Sequence, residues 1–210
     1  MKQYRTIKDY GEDEIIIEKS KFIGYAKPVK TEEEAQAFIQ EIKKKHWDAT
    51  HNVWAYTLGE NMDVQRYSDD GEPSGTAGIP SLEVIKKENL RDVVVVITRY
   101  FGGIKLGAGG LVRAYTKGAK IGLEAGKIIE RIPHEILCAT VDYTLLGKVQ
   151  NEVTSKGYVI KDTIYEENVT FEIYCPPSKL EELEELIRNL TSAQAKTRLE
   201  EPVYLDVISV

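Results

Sequence analysis

The stretch Asp92-Val93-Val94-Val95-Val96-Ile97-Thr98-Arg99 decides how the first half of this chain folds. Four consecutive valines and an isoleucine leave no polar side to face water, so the run predicts a strand buried on both faces. A glycine-rich loop spans Gly102 to Gly110, and a long helix is expected from about Leu111 to Ala125. In and just after that helix, Ala114, Gly118, Gly122 and Gly126 recur every four residues. Glycine is about 1 kcal/mol worse than alanine inside a helix, so a glycine stripe implies very close approach to a sheet or another helix. Arg113, Lys117 and Lys120 follow i, i+4, i+7 spacing and form a separate, positively charged stripe.

Upstream, Glu14 to Glu18 and Phe22 to Lys27 read as two strands joined by a turn at Lys19-Ser20. Thr31-Glu32-Glu33-Glu34 opens a helix, with Thr31 as cap and acids in the first turn. Ala35, Phe38, Ile39 and Ile42 give its apolar stripe, and Lys43-Lys44-Lys45 closes it with the sign its dipole favours. Asn52 to Leu58 alternates as a strand; a polar loop, Ser68 to Gly78, precedes a short helix with Pro80 in its first turn.

Downstream of Pro133 the rhythm changes. Strands are expected at Ile136 to Tyr143, Tyr158 to Tyr165, Val169 to Cys175 and Val203 to Val210. Helices are expected at Leu145 to Ser155 and from a Ser178 cap through Leu190. The order is βαββαβ, the ferredoxin-like split motif. The chain therefore reads as an α+β protein of two domains, 1–133 and 134–210.

Charge follows the same division. The 210 residues carry a net charge of -6, yet residues 134–210 hold 7 Lys and Arg against 14 Asp and Glu, and the preceding part is nearly balanced. Residues 99–131 carry Arg99, Lys105, Arg113, Lys117, Lys120, Lys127 and Arg131 against only Glu124 and Glu130. Basic segments of this kind suit phosphate, and also occur as solvated faces. An ordinary share of apolar and charged residues, 42% and 30%, excludes a disordered chain. Two cysteines, Cys138 and Cys175, exclude a disulfide framework and read as buried free thiols of a reducing compartment. The start of the chain shows no apolar signal segment, and the longest apolar run, Val93 to Ile97, is far too short to cross a bilayer. A cytoplasmic protein, with no membrane partner, is expected.

Two loops are able to carry chemistry. In the first, Ser68 to Gly78, Asp69, Asp70 and Glu72 place three carboxylates in four residues, followed by Ser74 and Thr76. Their spacing departs from a calcium-binding loop. A turn-rich loop with helix-capping residues, a ligand or partner contact, and a cation site are the alternatives. The second loop presents Arg99, Gly102, Gly103, Lys105, Gly107, Gly109, Gly110 and Arg113 between a buried strand and a helix N-terminus. Exposed backbone N–H groups and nearby cations would cradle phosphate; close packing is the alternative use of the glycines. It matches neither standard nucleotide-binding glycine motif. His46 and His51 flank Trp47-Asp48-Ala49-Thr50 with no third metal ligand evident. No metal, no cofactor and no catalytic residue are expected.

The loops Asp69 to Pro80 and Arg99 to Tyr115, together with Thr50-His51-Asn52, resemble the IMPACT family in its bacterial, YigZ-type branch. Val53 stands where some members carry cysteine, so no catalytic thiol is carried over. The resemblance implies a ribosomal-protein second-domain-like α/β fold for 1–133. For 134–210 it implies a ferredoxin-like domain similar to the fifth domain of elongation factor G. It implies a translation-related regulatory factor, and RNA or ribosome-associated assemblies become the expected partners. On this reading Arg99, Lys105, Arg113, Lys117 and Lys120 face phosphate with the second loop's glycines, while His51, Asp69, Asp70, Glu72, Ser74 and Thr76 form a partner or ligand loop. An enzyme acting on a phosphorylated small molecule and a protein-binding adaptor are the competing expectations.

Overall fold

The computed structural model describes residues 1–208. The last expected strand runs on to Val210, and its final two positions, Ser209 and Val210, lie outside the described residues. Contacts gather the chain into two units. The larger comprises Tyr4–Glu130 and, of the described residues at the other end, 206–208; the smaller comprises Arg131–Leu205 with Met1–Gln3.

In the larger unit, β1 (Tyr4–Ile7), β2 (Gly11–Ile17) and β3 (Ser20–Pro28) lead into α1 (Glu32–Lys45). Then come β4 (His51–Leu58), β5 (Val64–Ser68), α2 (Gly78–Lys87), β6 (Val93–Tyr100) and α3 (Gly107–Ala125). The sheet order β2-β3-β6-β4-β5 is antiparallel throughout. Strand β6 lies at its centre and is buried from Val93 to Arg99, as the valine run requires. Its residues alternate between two cores. Val94 and Val96 join Tyr25, Phe38, Ile39 and Tyr56 under α1. Val93, Val95 and Ile97 join Phe22, Leu82, Ile85, Ala114 and Leu123 on the side of α2 and α3. Thr31 caps α1, its hydroxyl accepting from Glu34 N at 3.2 Å. His46 is held by both ring nitrogens, at 2.6 Å from Tyr25 Oη and 2.7 Å from Tyr100 Oη. It belongs to the packing of this face.

The glycine stripe of α3 does what its spacing implies. A Cβ at Gly24 of β3 would collide with the carbonyl oxygen of Gly118, and one at Gly122 would lie 2.9 Å from the Gly24 carbonyl carbon. Helix and strand thus meet backbone to backbone, and any side chain at this crossing would push them apart.

The smaller unit holds most of β7 (Ile128–Val141), then α4 (Leu146–Ser155), β8 (Val159–Tyr165), β9 (Val169–Cys175), α5 (Leu180–Leu190), β10 (Lys196–Leu199) and most of β11 (Val203–Ile208). Four of its strands lie in the antiparallel order β8-β9-β7-β10, so β10, and not the expected strand from Val203, takes the fourth place of the split motif. Leu137, Ala139, Val141, Phe171 and Ile173 pack with Val149, Val153, Leu183 and Ile187 of the two helices. Cys138 and Cys175 are buried and free, and burial pushes the Cys175 thiol up to about 11. Among the described residues, no helix is long and apolar enough to cross a membrane.

Several boundaries differ from the sequence reading. Strands β1, β5 and β10 are short or exposed and carry little alternation to read. Ser178 does not cap α5: a 3₁₀ turn, Pro177–Lys179, intervenes, and the helix starts without a side-chain cap. His134, which shows no partner in sequence, has its Nδ1 at 3.1 Å from the Ile132 carbonyl oxygen. Helix α3 begins at Gly107, four residues ahead of its expected start, so Gly107, Gly109 and Gly110 form its first turn.

The crossing at Gly24 gives a paired test. Gly24→Ala is expected to lower stability by about 1–3 kcal/mol through overpacking. Gly147→Ala, at a position in α4 with no atom within 4 Å of the added Cβ, is expected to raise it by up to about 1 kcal/mol. Urea unfolding of both variants beside the parent chain checks the opposite signs.

Candidate functional site

The site starts from a turn. Glu72 N donates to the Asp69 carbonyl at 3.0 Å, and the two residues between, Asp70 and Gly71, have φ of 44° and 89°. An Asp-Gly pair suits that left-handed geometry. The turn folds Glu72 back beneath β4 and β6.

Two of the three carboxylates are engaged away from the cavity. Asp69 accepts from Gly78 N at 2.7 Å, Gly75 N at 3.0 Å and Ala77 N at 3.2 Å, and so caps α2 from a distance in sequence. Asp70 accepts from Lys43 Nζ on α1 and from Asn52 N on β4, both at 2.7 Å. Thr76 donates to the Pro73 carbonyl at 2.6 Å, while Ser74 is exposed. These residues order the loop and present no converging cation site.

Glu72 points the other way. Its side chain is only 3% exposed, and Arg99 beside it 6%. Oε1 accepts from Arg99 Nη1 at 2.6 Å and from Tyr115 Oη at 2.7 Å. Burial, followed by the Glu72 hydrogen bond, holds the Tyr115 hydroxyl far above its ordinary pKa, so it remains a donor. The guanidinium also reaches Ser20 Oγ at 3.5 Å, and its Nε makes no hydrogen bond. His51 completes the group. Its Nδ1 donates to the Asp70 carbonyl at 2.8 Å, because a carbonyl can only accept. In the neutral ring Nε2 is then a lone-pair acceptor, and it lies 3.6 Å from Glu72 Oε2.

This cluster walls a cavity of about 350 Å³. Phe101, Lys105, Leu106 and the first residues of α3, Gly107 and Ala108, form other parts of its lining. No side chain caps α3, so its first N–H groups are free of capping partners at the cavity edge. Phe101 N donates to Thr50 Oγ1 at 3.0 Å, and the residue is 47% exposed. Gly102 passes directly over the β2–β3 turn, where a Cβ would strike the Lys19 carbonyl, and Gly102 N donates to Ser20 Oγ at 3.2 Å. Gly103 and Gly107 have φ of 88° and 68°.

A second cavity, about 620 Å³, shares Lys105 and Leu106 with the first and is lined by Ile17, Glu18, Ile104, Arg113 and Lys117. Lys120 does not line it and pairs with Glu124 at 3.7 Å. The structure thus brings together Arg99, His51 and Glu72 at one cavity and Lys105, Arg113 and Lys117 along the next. It places Asp69, Asp70, Ser74, Thr76 and Lys120 outside both linings. Tyr115 is the member that sequence reasoning passes over. In sequence it looks like an aromatic beside the basic stripe; in the fold it is fully buried and bonded to Glu72.

Comparison with known proteins follows the two units. Residues 18–123 match the family model described as the Impact N-terminal domain. Residues 140–194 match a domain of unknown function, DUF1949. The chain is 50% identical over 203 residues to the IMPACT family member YvyE of Bacillus subtilis, covering 97% of this chain and 94% of that protein. It is 34% identical to the IMPACT family member YigZ of Escherichia coli, covering 68% of this chain and 74% of that one. The Protein IMPACT homolog of Dictyostelium discoideum is 36% identical over 102 residues, which are 47% of this chain and 29% of that protein. A solved structure titled as a hypothetical protein superposes with a TM-score of 0.58 at 26% identity, covering 96% of this chain and 98% of its own.

The buried pair is testable by unfolding. Arg99→Met strands the Glu72 carboxylate without its cation and is expected to cost about 3–5 kcal/mol. Tyr115→Phe removes one hydrogen bond from the same oxygen and is expected to cost about 1–3 kcal/mol. Equal, small losses in urea titrations of both variants would mean that Glu72 does not depend on Arg99.

Proposed function

The chain belongs to the IMPACT family, and from that premise we propose that it is a translation-related regulatory factor, without enzymatic activity of its own, that binds RNA or RNA-bearing ribosomal assemblies. One observation carries the reading. Lys105, Arg113 and Lys117 line a single groove, all three are exposed, and none has an acidic partner among the described residues. Three unpaired cations along one groove hold potential that a surface of matched ion pairs lacks. The groove adjoins the first cavity through Lys105 and Leu106, so a phosphate chain in the groove passes close to the exposed ring of Phe101. Cationic grooves with an aromatic ring alongside suit single-stranded nucleic acid.

The domain likenesses belong to the same proposal. The strand order β8-β9-β7-β10 supports a ferredoxin-like domain over 134–210, similar to the fifth domain of elongation factor G. The antiparallel sheet of the larger unit, with helices on both faces, is in keeping with a ribosomal-protein second-domain-like fold. We place the boundary of the two domains at Pro133, and the working compartment in the cytoplasm. An enzyme on a phosphorylated small molecule would draw on the same three carboxylates, but Asp69 is held by the loop's own N–H groups and Asp70 by Lys43 and Asn52 N, which leaves Glu72 as the carboxylate of that loop on the cavity.

The test is a salt titration of a labelled single-stranded RNA. Phosphate contacts release counterions, so affinity falls steeply with salt. The triple variant Lys105→Glu, Arg113→Glu, Lys117→Glu is expected to weaken binding of every RNA by similar factors and to flatten the salt slope by about one unit per residue. Lys120→Glu is expected to leave the slope close to that of the parent. Parent-like binding by a folded triple variant would move the site elsewhere.

A further inference from the structure

We propose that the cavity walled by His51, Glu72, Phe101 and Lys105 is a pocket for one guanine nucleotide, either free or as a residue of single-stranded RNA. The single-stranded source rests on the RNA-binding reading above; the pocket itself does not.

The starting point is an unmet acceptor. Glu72 Oε1 takes both donors, Arg99 and Tyr115, while Oε2 makes no hydrogen bond. Its neighbour at 3.6 Å is His51 Nε2, which the Nδ1 bond to Asp70 leaves as an acceptor in the neutral ring. With His51 neutral, two acceptors therefore sit side by side on the wall of one cavity with no donor between them. Both atoms face the cavity, where a ligand carrying matching donors would take the place of water. The partner they call for is an edge carrying two adjacent N–H donors. Guanine offers that edge in N1–H and its 2-amino group. Adenine and cytosine offer one amino group next to a ring acceptor, and uracil one N–H between two carbonyls.

The rest of the lining suits the rest of a nucleotide. Phe101 is 47% exposed and offers a face for stacking. Pro73, Leu106 and Leu111 add apolar wall. Lys105 and the first turn of α3 supply positive charge for a phosphate at the same cavity. The volume of about 350 Å³ falls within the range of small-ligand pockets, roughly 300–1,000 Å³.

Calorimetric titration of the full chain at pH 8 with 5′-GMP, IMP, AMP, CMP and UMP tests this. GMP is expected to bind best. IMP, which keeps N1–H and lacks the 2-amino group, is expected to bind about tenfold more weakly, the loss of one hydrogen bond to a charged acceptor. Glu72→Gln is expected to abolish the preference for GMP over AMP, and Phe101→Ala to weaken all five ligands by similar factors. If Glu72→Gln does not fold by circular dichroism, the GMP-to-IMP ratio of the parent chain decides. Equal affinity for GMP and AMP, or a preference retained in folded Glu72→Gln, overturns the proposal. Oligouridylate with and without a single internal guanosine separates the two readings. Binding that ignores the guanosine, with no GMP preference, removes the pocket and leaves the RNA reading. GMP preference with no RNA binding keeps the pocket and removes the RNA reading.

Discussion

The hydrogen-bonded ion pair between Glu72 and Arg99 is the constraint on which the site depends. Both side chains are almost wholly removed from water, where either charge alone would be severely destabilising. Held 2.6 Å apart, with Tyr115 as a third partner, they are compatible with burial only while three segments stay in place. These are the loop after β5, the end of β6 and the middle of α3. The pair therefore works less as a source of net stability than as a device that fixes which way the loop faces. Once Glu72 is turned inward, His51 and the cavity edge follow from the Asp70–Gly71 turn.

Packing makes that arrangement possible. Tyr115 can reach Glu72 because α3 lies against β3 with glycine facing glycine at Gly24, Gly118 and Gly122. The same helix turns its exposed face, with Arg113 and Lys117, to the second groove. One element thus supplies a buried donor to the site and free cations to the surface beside it. The division between these roles is written in the helical period: small residues every fourth position on one stripe, cations on another.

Much of this was legible in the residues. The valine run announced a central strand because apolar side chains on both faces have no other place to go. The glycine spacing announced a close helix contact, and the first five elements of the split motif followed from alternation, Gly157 and the helical stripes, while its last strand, the short and exposed β10, did not. Other features were hidden for physical reasons. A carboxylate's partner cannot be read from its neighbours in sequence, so Asp69, a helix cap, and Glu72, a buried ion-pair partner, look alike three residues apart. Glycines 107, 109 and 110 read as loop because propensity disfavours helix there, yet α3 starts at Gly107. Tyr115 carried a faint signal: an aromatic one residue after the packing position Ala114 tends to share the buried side of a helix.

The central claim is that one face of the larger unit, from the His51–Glu72 cavity to the Lys105–Arg113–Lys117 groove, is the RNA-binding face. The most direct measurement is a nuclear magnetic resonance titration of the isotope-labelled full chain with a short single-stranded RNA. The account predicts amide shift changes concentrated at Thr50, His51, residues 101–108, Arg113 and Lys117, with residues 140–194 nearly silent. Changes concentrated in 140–194, or spread evenly with none at 101–108, would contradict it.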